Sequence, residues 1–359
     1  PSIDAIVLGE GVPEFREIVG HWGRGESLEG ITGLALPRDR QLRFSRPRPV
    51  PATLDHQPLP DRSLTAKYRS RYFFLFESPV ALVQTSMGCS YGCTFCSCQK
   101  FSQRRFVPRS PELIVEDLSR TEEEFVIFAD DHSFIDPKRM ARLHDLIVER
   151  GIRKRYFAYS RVDSVVENPE LFRAWRQIGL ELVMTGLEAL DDRTLHTLQK
   201  RAQAELNERA IRILERCGIG VSAGFVVMPD FTEADFERID SYLRTHPNIV
   251  LAELTPLTPL PGTDLHAAER GRVRTQHREL YDLAHFVVPT RLPERELYRL
   301  MRRYYRRILW RAFARLRLYR PRYALKRHVP RLAAGAVRDM LMMARAHRSS
   351  GAVAPAEDP

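Results

Sequence analysis

No part of the chain reaches the roughly 18–20 consecutive apolar residues that a membrane span requires, and the N-terminus has no charged-then-apolar signal pattern. Those two absences predict a cytosolic enzyme or binding protein. Cysteine is scarce, at five in 359 residues. An odd number without an export signal speaks against a disulfide framework. Four of the five, Cys89, Cys93, Cys96 and Cys98, fall within ten residues, and Cys217 stands alone. Such crowding points to metal binding or catalysis. Acidic residues are nearly missing from 291–350, which holds 3 Asp and Glu against 18 Lys and Arg, so the net +10 is concentrated there and the remainder is −5. With 43% hydrophobic and 28% charged residues, the chain can bury a sizeable core and is not disordered as a whole.

The order of elements is legible. Residues 3–11, IDAIVLGEG, read as a buried strand running into a glycine-flanked turn, and a helix is predicted from about Pro13 to Trp22. One βα unit is too small to fold alone. The chain begins with Pro1 rather than Met, and a piece upstream is expected. Residues 25–77, rich in Pro, Arg, Asp and Gln over 36–65, are predicted to be a linker or a wrapping arm. From 78 to 290 six β-rich runs are predicted, at Val80–Thr85, Phe125–Ala129, Tyr156–Tyr159, Leu182–Thr185, Val221–Val227 and Ile249–Leu254. Helices separate them, opened by Ser110-Pro111, Asp136-Pro137 and Asn168-Pro169. Thr232-Glu233-Ala234-Asp235 resembles a capping box. Repeated βα units imply a parallel sheet or barrel. Residues 291–348 mix arginines with apolar residues at helical spacing, and 349–359 are predicted to be a frayed tail.

The informative string is Thr85-Ser86-Met87-Gly88-Cys89-Ser90-Tyr91-Gly92-Cys93-Thr94-Phe95-Cys96. It gives C-x3-C-x2-C directly after the first strand of the array. Three thiolates can hold three irons of a four-iron cluster and leave the fourth without a protein ligand. A zinc site is the alternative, and it needs a fourth ligand, which Cys98 or His132 would supply.

C-x3-C-x-aromatic-C after the first strand resembles the signature of the radical S-adenosylmethionine (SAM) enzymes. The resemblance implies a partial (βα)6 barrel in which Cys89, Cys93 and Cys96 hold a 4Fe-4S cluster and Phe95 lies beside the SAM adenine. It implies reductive cleavage of SAM to a 5′-deoxyadenosyl radical that removes hydrogen from an unactivated carbon. Chemistry in such arrays collects at the C-terminal strand ends. There the resemblance puts Asp130 and Asp131 on the methionine ammonium, Arg161 on its carboxylate, and Glu188 near the ribose hydroxyls. Gly224, Val226, Pro229 and Asp230 match a fifth-strand segment whose backbone supports the adenine. Cys98 falls outside the three-cysteine motif and is a candidate substrate-facing or radical-quenching thiol. His132, His266 and His285 are candidate proton-transfer groups, and Cys217 is expected in the core.

Residues 1–24 are similar to the last unit of the Rossmann-like cobalamin-binding domain that precedes the barrel in one radical SAM branch, and Leu59-Pro60-Asp61-Arg62 also resembles that branch. The rest of such a domain, often with an Asp-x-His-x-x-Gly loop, is not in the sequence, so cobalamin is an expected cofactor with an incomplete domain here. Ser86-Met87-Gly88-Cys89, Cys96-Ser97-Cys98-Gln99-Lys100-Phe101 and Ala284-His285-Phe286-Val287-Val288-Pro289-Thr290 resemble the hopanoid C-3 methylases. The implied activity is C-methylation of an sp3 carbon on a small-molecule or lipid substrate, using two SAM molecules per turnover and a reducing electron-transfer protein.

The basic C-terminal region, with Trp310, Phe313, Leu316 and Tyr319, suits an anionic bilayer surface, which predicts peripheral contact on the inner face of the membrane. Arginines with interspersed aromatics also bind RNA. A tRNA-modifying radical SAM enzyme and a zinc-bearing nucleic-acid module are the competing readings. The first lacks the extra N- and C-terminal domains expected of methylthiotransferases. The second gives the strand-end carboxylates no purpose, so nucleic acid is the less favoured partner.

Overall fold

The computed structural model describes residues 3–39, 41–74, 77–200 and 203–319. The predicted basic helical region beyond 319 and the predicted tail at 349–359 lie outside the described residues, as do the side chains of Phe313, Leu316 and Tyr319.

The N-terminal elements are β1 (Ile6–Val7), α1 (Val12–Arg24), β2 (Leu34–Arg38) and β3 (Gln41–Phe44), followed by a 3₁₀ helix at Arg62–Arg71. One expectation is corrected here. Residues 25–77 are not wholly a linker, because β2 and β3 form a hairpin and Ile31, Leu34, Ala35 and Leu54 are buried. Arginines on the exposed side of that hairpin, with a proline beside them, mask its alternation. Strand β1 pairs antiparallel with β2.

The next elements are β4 (Val80–Val83), β5 (Ser86–Met87), α2 (Cys98–Phe101), β6 (Val107–Pro108), α3 (Pro111–Arg120), β7 (Phe125–Phe128), α4 (Pro137–Glu149), β8 (Arg155–Tyr159), α5 (Val162–Glu167), α6 (Pro169–Gln177), β9 (Leu180–Glu188), α7 (Asp192–Thr197), α8 (Ala204–Cys217), β10 (Gly220–Val227), α9 (Glu233–Thr245), β11 (Ile249–Pro256), α10 (Asp264–Glu269) and α11 (Glu294–Tyr319). All six predicted strands are present as one parallel sheet in the order β11-β10-β9-β8-β7-β4. Strands β4 and β11 are its two edges. The order follows the chain, as expected of successive βα units.

Outward-facing residues such as Val126, Phe128, Tyr156, Val183, Val221 and Phe225 pack under the helices, with Trp175 edge-on to Phe128 and Phe134. The inner face has its own apolar layer, made of Val80, Phe125, Ile127, Phe157, Leu182 and Val250, with Phe74 packed on it. These two layers fix which strand residues look into the interior.

The helix starts follow the sequence signals. Asp136 caps α4 through the Arg139 N–H. Thr232 and Asp235 form the full capping box of α9. Replacing Thr232 with Ala removes one arm of that box, and we expect a loss of about 1 kcal/mol in unfolding free energy, measured by denaturant titration. No helix among the described residues is long and apolar enough to cross a membrane.

Candidate functional site

The cysteine string forms the loop between β5 and α2, at the C-terminal end of β4. Gly88 sets its direction. Its φ is +80°, and a Cβ there would stand 2.2 Å from the Arg105 carbonyl oxygen and 2.5 Å from the Ser102 Cβ. Only glycine fits both the left-handed backbone and the space. The Gly88 N–H donates to Asp131 Oδ2 at 2.8 Å.

All the cysteines are free thiols. Cys93 is buried, and Arg161 Nη1 approaches its sulfur at 3.6 Å. The Cys96 thiol is pushed down by the hydrogen bond from Cys98, with burial opposing and the Cys98 and Gln99 backbone N–H groups assisting. Burial pushes Cys89 up. Among the described residues, no three His, Cys, Asp or Glu side chains converge as ligands of one metal ion. A single tetrahedral ion draws its ligands to a point, whereas cluster thiolates each take a different iron and stay apart. Three free thiols on one loop, one of them facing a guanidinium and another facing backbone N–H groups, fit the donor set of a 4Fe-4S cluster.

Around this loop lies a network of charges. The Arg161 guanidinium stacks on the Tyr91 ring, 3.7 Å from its centroid. Arg161 also donates to both Asp163 oxygens and to the Lys200 carbonyl. The Lys200 ammonium meets Glu188 Oε1 at 2.8 Å, with the two side chains only 7% and 12% exposed. Glu188 ends β9 with a φ of +62°, at a register shift where Gly186 pairs with Gly224 and Glu188 with Phe225. A Cβ on Gly186 would lie 2.0 Å from Glu188 Oε1, so that glycine makes room for the folded-back carboxylate.

The expected SAM contacts divide. Asp131 is exposed beside the cysteine loop, and Cys98 lies against it and against Cys96. Phe95 packs with Leu198, Val226, Leu257, Leu265 and Met228 at the ends of β10 and β11. Gly224 lies on the inner face beside Gly186, and the Pro229 carbonyl accepts the Arg291 N–H at 2.8 Å. Asp130 is a correction. It is buried, and both its oxygens are engaged: Oδ1 accepts the Thr85 and Ser86 N–H groups at 2.8 and 2.9 Å, and Oδ2 accepts the Thr85 hydroxyl at 2.6 Å. With Arg139, which donates to the Thr85, Arg109 and Ser133 carbonyls, it pins the end of β4 instead of facing a ligand. Arg161 also departs from expectation, since its donors face Asp163, Lys200 and Cys93.

The histidines do not converge on the site as acids or bases. His132 is pushed down to about 3 by burial, with Asp163 opposing, and its Nε2 accepts the Arg161 N–H at 3.3 Å. It is a neutral acceptor at the start of α5. His285 pairs with Asp282, and His266 stands near the Tyr281 ring. Sequence reasoning missed Asp163, Lys200 and Glu253. The first two carry no spacing signal. Glu253 does, as a lone charge in an otherwise apolar strand, VLAELTP.

Residues 83–243 match the family model described as the radical SAM superfamily. The chain carries a radical SAM domain. The cofactors of that family are a 4Fe-4S cluster and SAM. Among curated relatives, the hopanoid C-3 methylase of Methylococcus capsulatus is 32% identical over 301 residues, covering 82% of this chain and 56% of the relative. An uncharacterized methyltransferase of Pyrococcus horikoshii is 30% identical over 272 residues, covering 74% of this chain and 58% of the relative. The chain thus spans about half the length of the curated relatives it matches. Among solved structures, the cobalamin-dependent SAM radical enzyme OxsB with aqua-cobalamin and SAM bound superposes with a TM-score of 0.63 at 15% identity, covering 80% of this chain and 48% of that one. That likeness concerns the fold, and it agrees with the six-strand parallel array beneath the radical SAM cysteine loop.

Proposed function

We propose that this chain is the catalytic portion of a radical SAM methylase of the cobalamin-linked branch, acting on an unactivated sp3 carbon of a hopanoid-like cyclic lipid. The observation that carries the reading is the loop of Cys89, Cys93 and Cys96 at the mouth of the six-strand array, above an inward-facing chamber. A cluster held there would supply the electron for reductive cleavage of SAM.

The residues of the chain then have separable tasks. Cys89, Cys93 and Cys96 would hold iron. Arg161 places positive charge beside the Cys93 sulfur and is itself fixed by Asp163 and Tyr91. Asp131 offers an accessible carboxylate to a ligand ammonium. Glu188, already countered by Lys200, offers acceptor oxygens to ribose hydroxyls, and Phe95 supplies an apolar face for the adenine. The Gly9–Gly11 turn, with open space around Gly9, is the part this chain would contribute to a cobalamin site. No step is derived through that group. Cys98 is engaged by Cys96 and Asp131 and receives no step.

Lipid access would come from helix α11. Arg303, Arg307 and Arg311 face Glu233 and Asp240 of α9, so those arginines dock the helix. Arg299, Arg302, Arg306 and Trp310, which is 76% exposed, share one surface groove with those three arginines. That combination suits an anionic lipid surface. The test is anaerobic reconstitution with iron and sulfide, followed by incubation with SAM, cobalamin, a strong reductant and hopanoid-loaded vesicles. We expect deoxyadenosine and a methylated lipid, with anionic vesicles outperforming zwitterionic ones. Deoxyadenosine without lipid methylation would overturn the substrate assignment, and no deoxyadenosine would overturn the radical reading.

A further inference from the structure

The strand registers place one carboxylate without a partner among the described residues on the inner face of the sheet. On β10, Val221, Ala223, Phe225 and Val227 pack outward under the helices, which leaves Ser222, Gly224 and Val226 facing in. Gly224 lies between Gly186 of β9 and Glu253 of β11. The space over Gly186 is taken by the Glu188 carboxylate and the Lys200 ammonium, and the Met184 methyl reaches over Gly224, while Glu253 itself stays exposed. Below this level is the apolar floor of Phe157, Leu182, Val250 and their neighbours. One strand repeat above it, about 7 Å along, Val226 meets Phe95 of the cysteine loop. Tyr159 lies one repeat lower, level with Met184 and Ser222, and packs on the apolar floor.

The carboxylates at the mouth already have partners. Asp130 has three donors, Asp163 has Arg161, and Glu188 has Lys200. Glu253 is accessible from the interior and has no hydrogen-bond partner or cation among the described residues. Crowding by the surrounding wall raises its carboxyl above the ordinary range. A molecule seated against it must replace the water it loses. A pure hydrocarbon offers nothing in exchange, which is strongly unfavourable for a carboxylate.

We propose that Glu253 is the specificity-determining residue of the chamber and accepts a hydrogen bond from the substrate, which therefore bears a hydroxyl or protonated amine on an otherwise apolar body. The inference rests on the radical SAM methylase reading, because it takes the chamber under the cysteine loop as the place where the substrate sits. Its chemistry narrows the lipid class to one with a donor group within reach of the sixth strand.

The test uses the full chain, anaerobically reconstituted, and three rigid tetracyclic probes in detergent: cholestanol, aminocholestane and cholestane. Wild type is expected to bind the alcohol and the amine on the order of tenfold more tightly than the hydrocarbon, as a hydrogen bond to a charged group allows. E253L should erase the preference. E253Q, which keeps the shape and an acceptor oxygen, should retain it for the alcohol and lose it for the amine. Equal affinity for all three probes, binding of none, or a preference that survives E253L would overturn the assignment. Deoxyadenosine formation by wild type is followed in parallel. If it is formed while the probe preference is missing, the role of Glu253 alone fails. If it is not formed, the reading beneath the inference fails.

Discussion

Replacing Cys93 with Ala is expected to abolish iron retention and deoxyadenosine formation together, with activity falling by more than about 100-fold. The bound is conservative, because losing only an outer-shell partner of a metal ligand typically costs roughly 10–100-fold. Among the three motif cysteines Cys93 is the buried one, and its sulfur faces Arg161. An alanine there leaves a guanidinium facing a methyl group and one iron without its thiolate. Iron and sulfide content, the visible spectrum and product formation read the outcome independently. Unchanged iron and unchanged deoxyadenosine in C93A would sink the assignment of this loop. The C217A variant is the control, since Cys217 lies at the end of α8, packs against the helix-side core and should leave all readouts at wild-type level.

The second large effect is expected at Gly88. An alanine must adopt a φ near +80° and place its Cβ within 2.2 Å of a backbone oxygen. The left-handed conformation costs about 1–2 kcal/mol, and forced overpacking adds about 1–3 kcal/mol. The obstacle is backbone, not the end of a flexible side chain, so relief requires moving the segment from Ser102 to Arg105. That segment follows α2, whose first turn holds Cys98 and faces Cys96. G88A should therefore load much less iron while the sheet stays folded, seen as unchanged far-ultraviolet circular dichroism with a lowered melting temperature. Full iron loading in G88A would show that the loop direction does not depend on this glycine.

How much of this could be read from the residues follows from what each signal encodes. The six strands were legible because strands buried on both faces are continuous apolar runs between Pro- and Gly-marked helix starts. The hairpin β2–β3 was not, because Arg38 and Arg43 line its exposed face and Pro37 interrupts its run, the composition of a linker. The three cysteines announce themselves through spacing alone. The Asp130–Asp131 pair looks equivalent in sequence, yet one carboxylate turns back onto the Thr85 and Ser86 amides while the other faces the loop. Only the direction of the chain after β7 decides that. Lys200 and Asp163 were invisible for the same reason, since their partners Glu188 and Arg161 come from other parts of the array or from a local turn. Glu253 was visible as an anomaly, but which face of β11 it occupies required the register.

The two edges of the parallel sheet carry a consequence for size selection. In a closed barrel the hydrogen-bonded ring fixes the diameter through strand number and stagger. Here the described strands end at β4 on one side and β11 on the other, leaving a seam without a ladder across it. No backbone ladder therefore fixes the distance between those two edges. A stiff, bulky guest lodged between them would leave every backbone hydrogen bond of the sheet intact.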